Sequence, residues 1–145
     1  MQTACLSLPV QRDETASKCV ILARGMGARN VLRLRRMLEG LCFSVTVVET
    51  LEAALTACRG GDVPVLAPAN DAGFRLMWLL RQRGVGAPRI AVLPEASVEK
   101  TLLALAAGAH ECLAWPFETT LLAQRLRLAR AAMADESPRP RLAAS

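Results

Sequence analysis

Arg24 is the first residue whose type and setting suggest chemistry. It follows the apolar run Cys19-Val20-Ile21-Leu22-Ala23, and the carboxyl ends of such strands are where open α/β sheets bind ligands. A guanidinium there offers bidentate hydrogen bonds to phosphate or carboxylate; a solvated loop arginine is the competing reading. Gly25 and Gly27 do not complete a G-x-G-x-x-G phosphate-binding turn, and its acidic partner is missing. The nearby carboxylates are scattered. Asp71 is placed to cap a helix, and Asp62 precedes a strand, at the opposite end of the sheet. His110 is the one histidine and falls in a turn. No nucleophile, base and orienting group assemble, so the chain is expected not to be an enzyme. Five cysteines (Cys5, Cys19, Cys42, Cys58, Cys112) at irregular spacing, with a single histidine, make no zinc site. Cys19, Cys42 and Cys112 are expected inside strands as small buried hydrophobes. Neither metal nor cofactor is predicted.

The elements that must position these groups alternate strictly. Strands are expected at 19–23, 43–48, 63–67 and 90–93 and around Leu113, although Pro64 is awkward inside a buried strand. Helices follow each: one with Val31, Leu34, Leu38 and Leu41 on its apolar face, one capped by Thr50, one at 72–83 capped by Asn70 or Asp71, one capped by Ser97 and closed by Gly108, and one at 118–133. Five strands joined by right-handed helical crossovers predict a three-layer, doubly wound parallel α/β sandwich, flavodoxin-like, with strand order 2-1-3-4-5. The chain has 145 residues, 52% hydrophobic and 21% charged, enough for one domain with a substantial core. Residues 1–17 read as a flexible leader, 18–134 as the domain and 135–145 as a disordered tail. No apolar run approaches the ~20 residues that span a bilayer, and the expected location is cytoplasmic. The net charge of +5 rests almost wholly on arginine, and favours acidic partners without naming one.

Three motifs occur in order across 18–132: Asp71-Ala72-Gly73-Phe74-Arg75-Leu76, Ala107-Gly108-Ala109, and Pro116-Phe117 before a Leu-rich helix. Together they resemble bacterial response-regulator receiver domains, with their "DGFEL" and "AGA…(strand)…KPF" segments. The resemblance implies a phosphate-accepting aspartate ending the third strand, an acid pair after the first strand holding Mg²⁺, a Thr or Ser ending the fourth, and a Lys after the fifth. In this chain the acid-pair positions match Arg24 and Gly25, the acceptor falls at Ala67 or Pro68, the hydroxyl matches Leu93, and the lysine matches Trp115. Arg24 would repel Mg²⁺. The expectation is a pseudo-receiver that neither binds Mg²⁺ nor accepts phosphate. In the family the peptide bond before this proline is typically cis. Trp115 is expected to fold over the vacated pocket as a plug, with a partner contact as the sharper alternative.

The last two helices usually form the receiver output face. Here the last carries Arg125, Arg127 and Arg130 interleaved with Leu121, Leu122, Leu126 and Leu128, more leucine than one core stripe needs. Arg125, Arg127, Arg130 and Leu122 are therefore the candidate partner-binding residues. With no output domain following, any effect is expected to pass through a partner or a second copy. The leading expectation is a phosphorylation-independent adaptor in bacterial signal transduction, contacting another signalling protein or itself. The alternative is a receiver-like sensor of cyclic dinucleotides that uses Arg24, Arg139 and Arg141. DNA binding is disfavoured, because no helix-turn-helix segment lies outside the core and stacking aromatics are few.

Overall fold

The computed structural model describes residues 17–136. β1 (Ser17–Leu22), β2 (Phe43–Val48), β3 (Val65–Pro68), β4 (Arg89–Leu93) and β5 (Glu111–Ala114) form one parallel sheet in the order β2-β1-β3-β4-β5. The helices are α1 (Ala28–Gly40), α2 (Leu51–Ala57), α3 (Asp71–Gln82), α4 (Val98–Ala107) and α5 (Thr119–Glu136). This is the three-layer, flavodoxin-like arrangement expected from the alternation.

Strand pleat sorts the side chains into two cores. Cys19, Ile21, Leu66, Ile90, Val92 and Leu113 face α1 and α5, where Leu34, Leu38, Leu122 and Leu126 meet them. Val20, Leu22, Val65, Ala67, Ala91 and Leu93 face the other layer and pack on Ala54, Leu76, Met77, Leu80 and Ala104. Both faces of the central strands are covered, which is why they read as unbroken apolar runs.

Three helix starts are fixed by side chains. Thr50 Oγ1 accepts from the Ala53 N–H, Asn70 Oδ1 from Gly73, and Ser97 Oγ from Lys100, each contributing about 1 kcal/mol. Asn70, not Asp71, is the cap of α3. The third strand begins at Val65 rather than Val63, because Pro64 has no N–H to give. Its carbonyl still accepts from Val20 at 2.9 Å. Cys42 lies in the turn before β2 with φ 71°, exposed, and not inside the strand as expected.

The folded unit is longer than the 18–134 read from sequence. Ser17 pairs with Phe43 in the β1–β2 ladder, and α5 continues to Glu136, whose carboxylate is bound by Arg89 and His110. Residues 135 and 136 therefore belong to the helix. The rest of the expected leader and tail, 1–16 and 137–145, lies outside the described residues.

Candidate functional site

At the carboxyl end of the sheet, β1, β3 and β5 converge on a cavity of about 190 Å³ lined in part by Gly25, Met26, Asn30, Pro68, Lys100 and Trp115. Asn70 ties its walls together. Its Nδ2 donates to the Arg24 carbonyl at 3.2 Å while its Oδ1 caps α3. Gly25, at φ 79°, has the Asn70 amide where a Cβ would project, and Gly73 lies so close to the Pro68 carbonyl that any side chain would collide with it. Both glycines are dictated by these close approaches.

Trp115 forms part of the cavity's wall. The Trp115–Pro116 peptide is cis, and the indole is 7% exposed. It stacks on Phe117 with centroids 4.1 Å apart and planes 22° apart, and the Arg33 guanidinium lies 4.7 Å from its ring centroid. Among the described residues, its buried Nε1 has no hydrogen-bond partner. The side chain is buried, as the sequence led us to expect.

Other expected pocket residues sit elsewhere. Ala67 is wholly buried in the core facing α3, and Pro68 supplies the cavity wall instead. Leu93 belongs to the same core by strand pleat, so Val92 and Pro94 line the cavity in its place, and Leu93 reaches a groove between α4 and α5. Arg24 is exposed on the far side of Gly25, in an open depression shared with Asp71 and Arg75. Arg139 and Arg141, the other candidates for a dinucleotide, lie outside the described residues.

The cavity lining contains amides, apolar groups and the Lys100 ammonium, but no carboxylate. A hard divalent cation requires anionic oxygen ligands and near-octahedral geometry, so these residues do not fit the Mg²⁺ that receiver chemistry uses. Among the described residues, no three His, Cys, Asp or Glu side chains come together as a metal cluster.

The candidate partner face also needs correction. Leu122 is 0% exposed and belongs to the core with Leu126 and Ala129; spaced i, i+4, i+7, these form the stripe that holds α5 to the sheet. Arg125 is drawn to Glu111 at 3.4 Å, with its Nε buried and unpartnered. Arg130 is 3.8 Å from Asp62, and Arg127 is exposed.

Among the described residues, an exposed apolar stripe lies on α4. Val98, Leu102 and Leu105 are 78%, 61% and 44% exposed, and their i, i+4, i+7 spacing forms one stripe. That stripe is one wall of a groove of about 650 Å³, floored by β5 and closed on the other side by Leu121 and Arg125 of α5. Leu103, also exposed, continues the apolar surface outward from the groove. A sequence signal existed, since 98–107 holds seven aliphatic residues, yet only Ala104 is buried.

A second cluster escaped the sequence reading. Arg89, 1% exposed at the start of β4, donates from Nε to the Gly108 carbonyl at 2.6 Å, and its Nη2 is 3.0 Å from both oxygens of Glu136. The Arg89 backbone N–H donates to His110 Nδ1 at 3.0 Å, while His110 Nε2 is 3.0 Å from Glu136 Oε1. Burial, then the Arg89 charge, hold the His110 pKa below its ordinary value despite Glu136. Burial pushes the Glu136 carboxyl up, but the His110 hydrogen bond and the charge and hydrogen bond of Arg89 outweigh it and hold it low.

No protein-family model and no curated protein matches the sequence. Solved structures do. A response-regulator receiver domain protein from Methanospirillum hungatei is 19% identical, covering 85% of this chain and all of its own, with a TM-score of 0.65. The receiver domain of a Pseudomonas aeruginosa sensor histidine kinase, which holds a magnesium ion in its active-site cleft, is 21% identical over 81% of this chain and 99% of its own, at 0.66. A chemotaxis response regulator of Vibrio cholerae is 19% identical over 79% and 99%, at 0.65. With its sheet in the order β2-β1-β3-β4-β5, the chain has the fold of a response-regulator receiver domain.

Proposed function

We propose that the protein is a non-catalytic pseudo-receiver in two-component signalling, a phosphorylation-independent adaptor that docks a signalling protein, or a second copy of itself, on its α4–β5–α5 face. The observation that carries this reading is the coincidence of two features. The cavity where receivers take phosphate offers no carboxylate and has the buried Trp115 in its wall. The α4–α5 groove, in contrast, leaves an apolar stripe open to solvent. Contiguous exposed apolar surface with a charged rim marks interaction sites. Arg125 and Glu111 supply that rim at the groove's edge. Helix-in-groove docking through anchors spaced i, i+3 or i+4 and i+7 is the recognition mode this shape suits.

The test compares three immobilised forms, wild type, Leu102→Glu and Arg24→Ala, against a signalling protein identified by mass spectrometry and re-tested from pure components. Binding should fall about thirtyfold or more with Leu102→Glu, as for a central apolar anchor. It should be unchanged in Arg24→Ala and by acetyl phosphate. Binding that survives Leu102→Glu, or that requires acetyl phosphate, overturns the reading.

A further inference from the structure

We propose that Arg89, His110 and Glu136 form a proton-operated latch that holds the C-terminal end of α5 against the turn between α4 and β5. The latch joins three separate parts of the chain. Arg89 comes from the start of β4, Gly108 and His110 from the α4–β5 turn, and Glu136 from the last residue of α5. It lies at the opposite end of the sheet from the Trp115 cavity, and neither that cavity nor the docking reading requires it.

The hydrogen-bond pattern fixes the ring's state. Nδ1 accepts the Arg89 N–H, so it carries no proton, and the proton of the neutral ring sits on Nε2, where it is donated to Glu136. Adding a solvent proton to Nδ1 sets two donors face to face. The Arg89 N–H then loses its partner, and a buried donor left unsatisfied is costly. The new positive charge also faces the Arg89 guanidinium, whose Nη2 is 3.4 Å from Nε2. The ring must leave its seat, and its bridge to Glu136 goes with it.

The charged groups around the ring come from every neighbouring element. Arg89 of β4 opposes protonation, while Glu136 of α5 and Glu111 of β5 favour it; Arg81 of α3 adds positive charge next to Arg89. Glu136 is already shared with Arg89 and 43% exposed, so solvent screens its pull. Glu111 is engaged by Arg125. Opening therefore wins over a tighter His110–Glu136 pair. Because His110 lines the α4–α5 groove, an open latch also changes that groove's wall.

The test uses the intact protein alone, so it succeeds or fails independently of partner docking. His110 is the chain's one histidine, and its ring nitrogen resonances are read directly by NMR. At pH 7.5 the ring should be neutral with its proton on Nε2. Hydrogen exchange of the last turn of α5, corrected for intrinsic rate, should show an opening constant that rises up to about tenfold per pH unit below about pH 6.5. In His110→Gln the pH step should vanish, while Glu136→Gln, which keeps the Nε2 bond, should retain it. A proton found on Nδ1 overturns the latch. So does an unchanged last turn while His110 titrates, or a pH step that persists in His110→Gln.

Discussion

Replacing Trp115 with alanine removes the largest side chain in the wall of the cavity at the sheet's carboxyl end. The indole is 7% exposed, stacked on Phe117 and lies beside Arg33. A buried Trp truncated to Ala costs about 3–5 kcal/mol, and the stacked pair contributes about 0.5–1.5 kcal/mol beyond burial. The unpartnered Nε1 works the other way. A buried donor without an acceptor costs about 1–3 kcal/mol, and the mutation relieves it. The expected loss is therefore at the low end, about 3 kcal/mol. Trp115→Phe keeps an aromatic ring and deletes the orphan donor, so it should fall within about 1 kcal/mol of wild type. Urea denaturation followed by circular dichroism measures both. With a slope of about 2 kcal/mol/M, Trp115→Ala moves the midpoint down by about 1.5 M. Because Trp78 is 51% exposed, fluorescence is read in a Trp78→Phe background. There the remaining emission should be blue-shifted and shielded from acrylamide. A Trp115→Ala loss under about 1 kcal/mol, or a readily quenched Trp115, would refute the plug and favour a partner contact.

Gly73→Ala drives a methyl group into the Pro68 carbonyl and should cost about 1–3 kcal/mol by overpacking, measured as a thermal midpoint shift; a neutral effect would show that α3 is not pinned to β3. Glu136→Ala leaves the buried Arg89 guanidinium with the Gly108 carbonyl and an uncompensated charge. A loss of about 1.5–3 kcal/mol is expected, restored in part by adding Arg89→Met; a loss no larger than that of an exposed glutamate would contradict the pairing. Stability should also fall in acid. His110 is held below its unfolded value, so the unfolded chain takes up a proton first, and stability declines as pH drops below about 6.5. Glu136 is held low as well, so its contribution is full above the unfolded carboxylate value and disappears as pH falls through the folded one. Urea midpoints that do not change between pH 7.5 and 5 would contradict the first, and midpoints that do not fall further below about pH 4.5 would contradict the second.

The sheet order, the helix caps and the turn glycines were legible because each follows from local chemistry. Unbroken runs such as 19–22 mark doubly covered strands, and Thr50, Asn70 and Ser97 each find a free N–H three residues on. The burial of Trp115 was legible from its place before Pro116. Which residues of the proposed docking face stand exposed was not. Periodicity reports how many apolar residues a helix holds, not which of them touch the sheet. The leucines of α5 read as surplus, yet Leu122 and Leu126 are its core stripe, whereas α4 packs on the sheet through small Ala104 and turns Val98, Leu102 and Leu105 outward. The Arg89 cluster was hidden for another reason. Its three members lie far apart in sequence, at 89, 110 and 136, and only the sheet brings them together.

The central claim, that the receiver fold persists here without receiver chemistry, is tested most directly by exposing the ¹⁵N-labelled protein to Mg²⁺ with beryllofluoride and then to Mg²⁺ with acetyl phosphate. Amide spectra and intact mass are recorded in both cases. The account predicts no saturable shift at Gly25, Ala69, Asn70 or Trp115 and no added phosphoryl mass, because no carboxylate lines the cavity they share. Saturable shifts centred on those residues, or one phosphoryl group carried per chain, would contradict it.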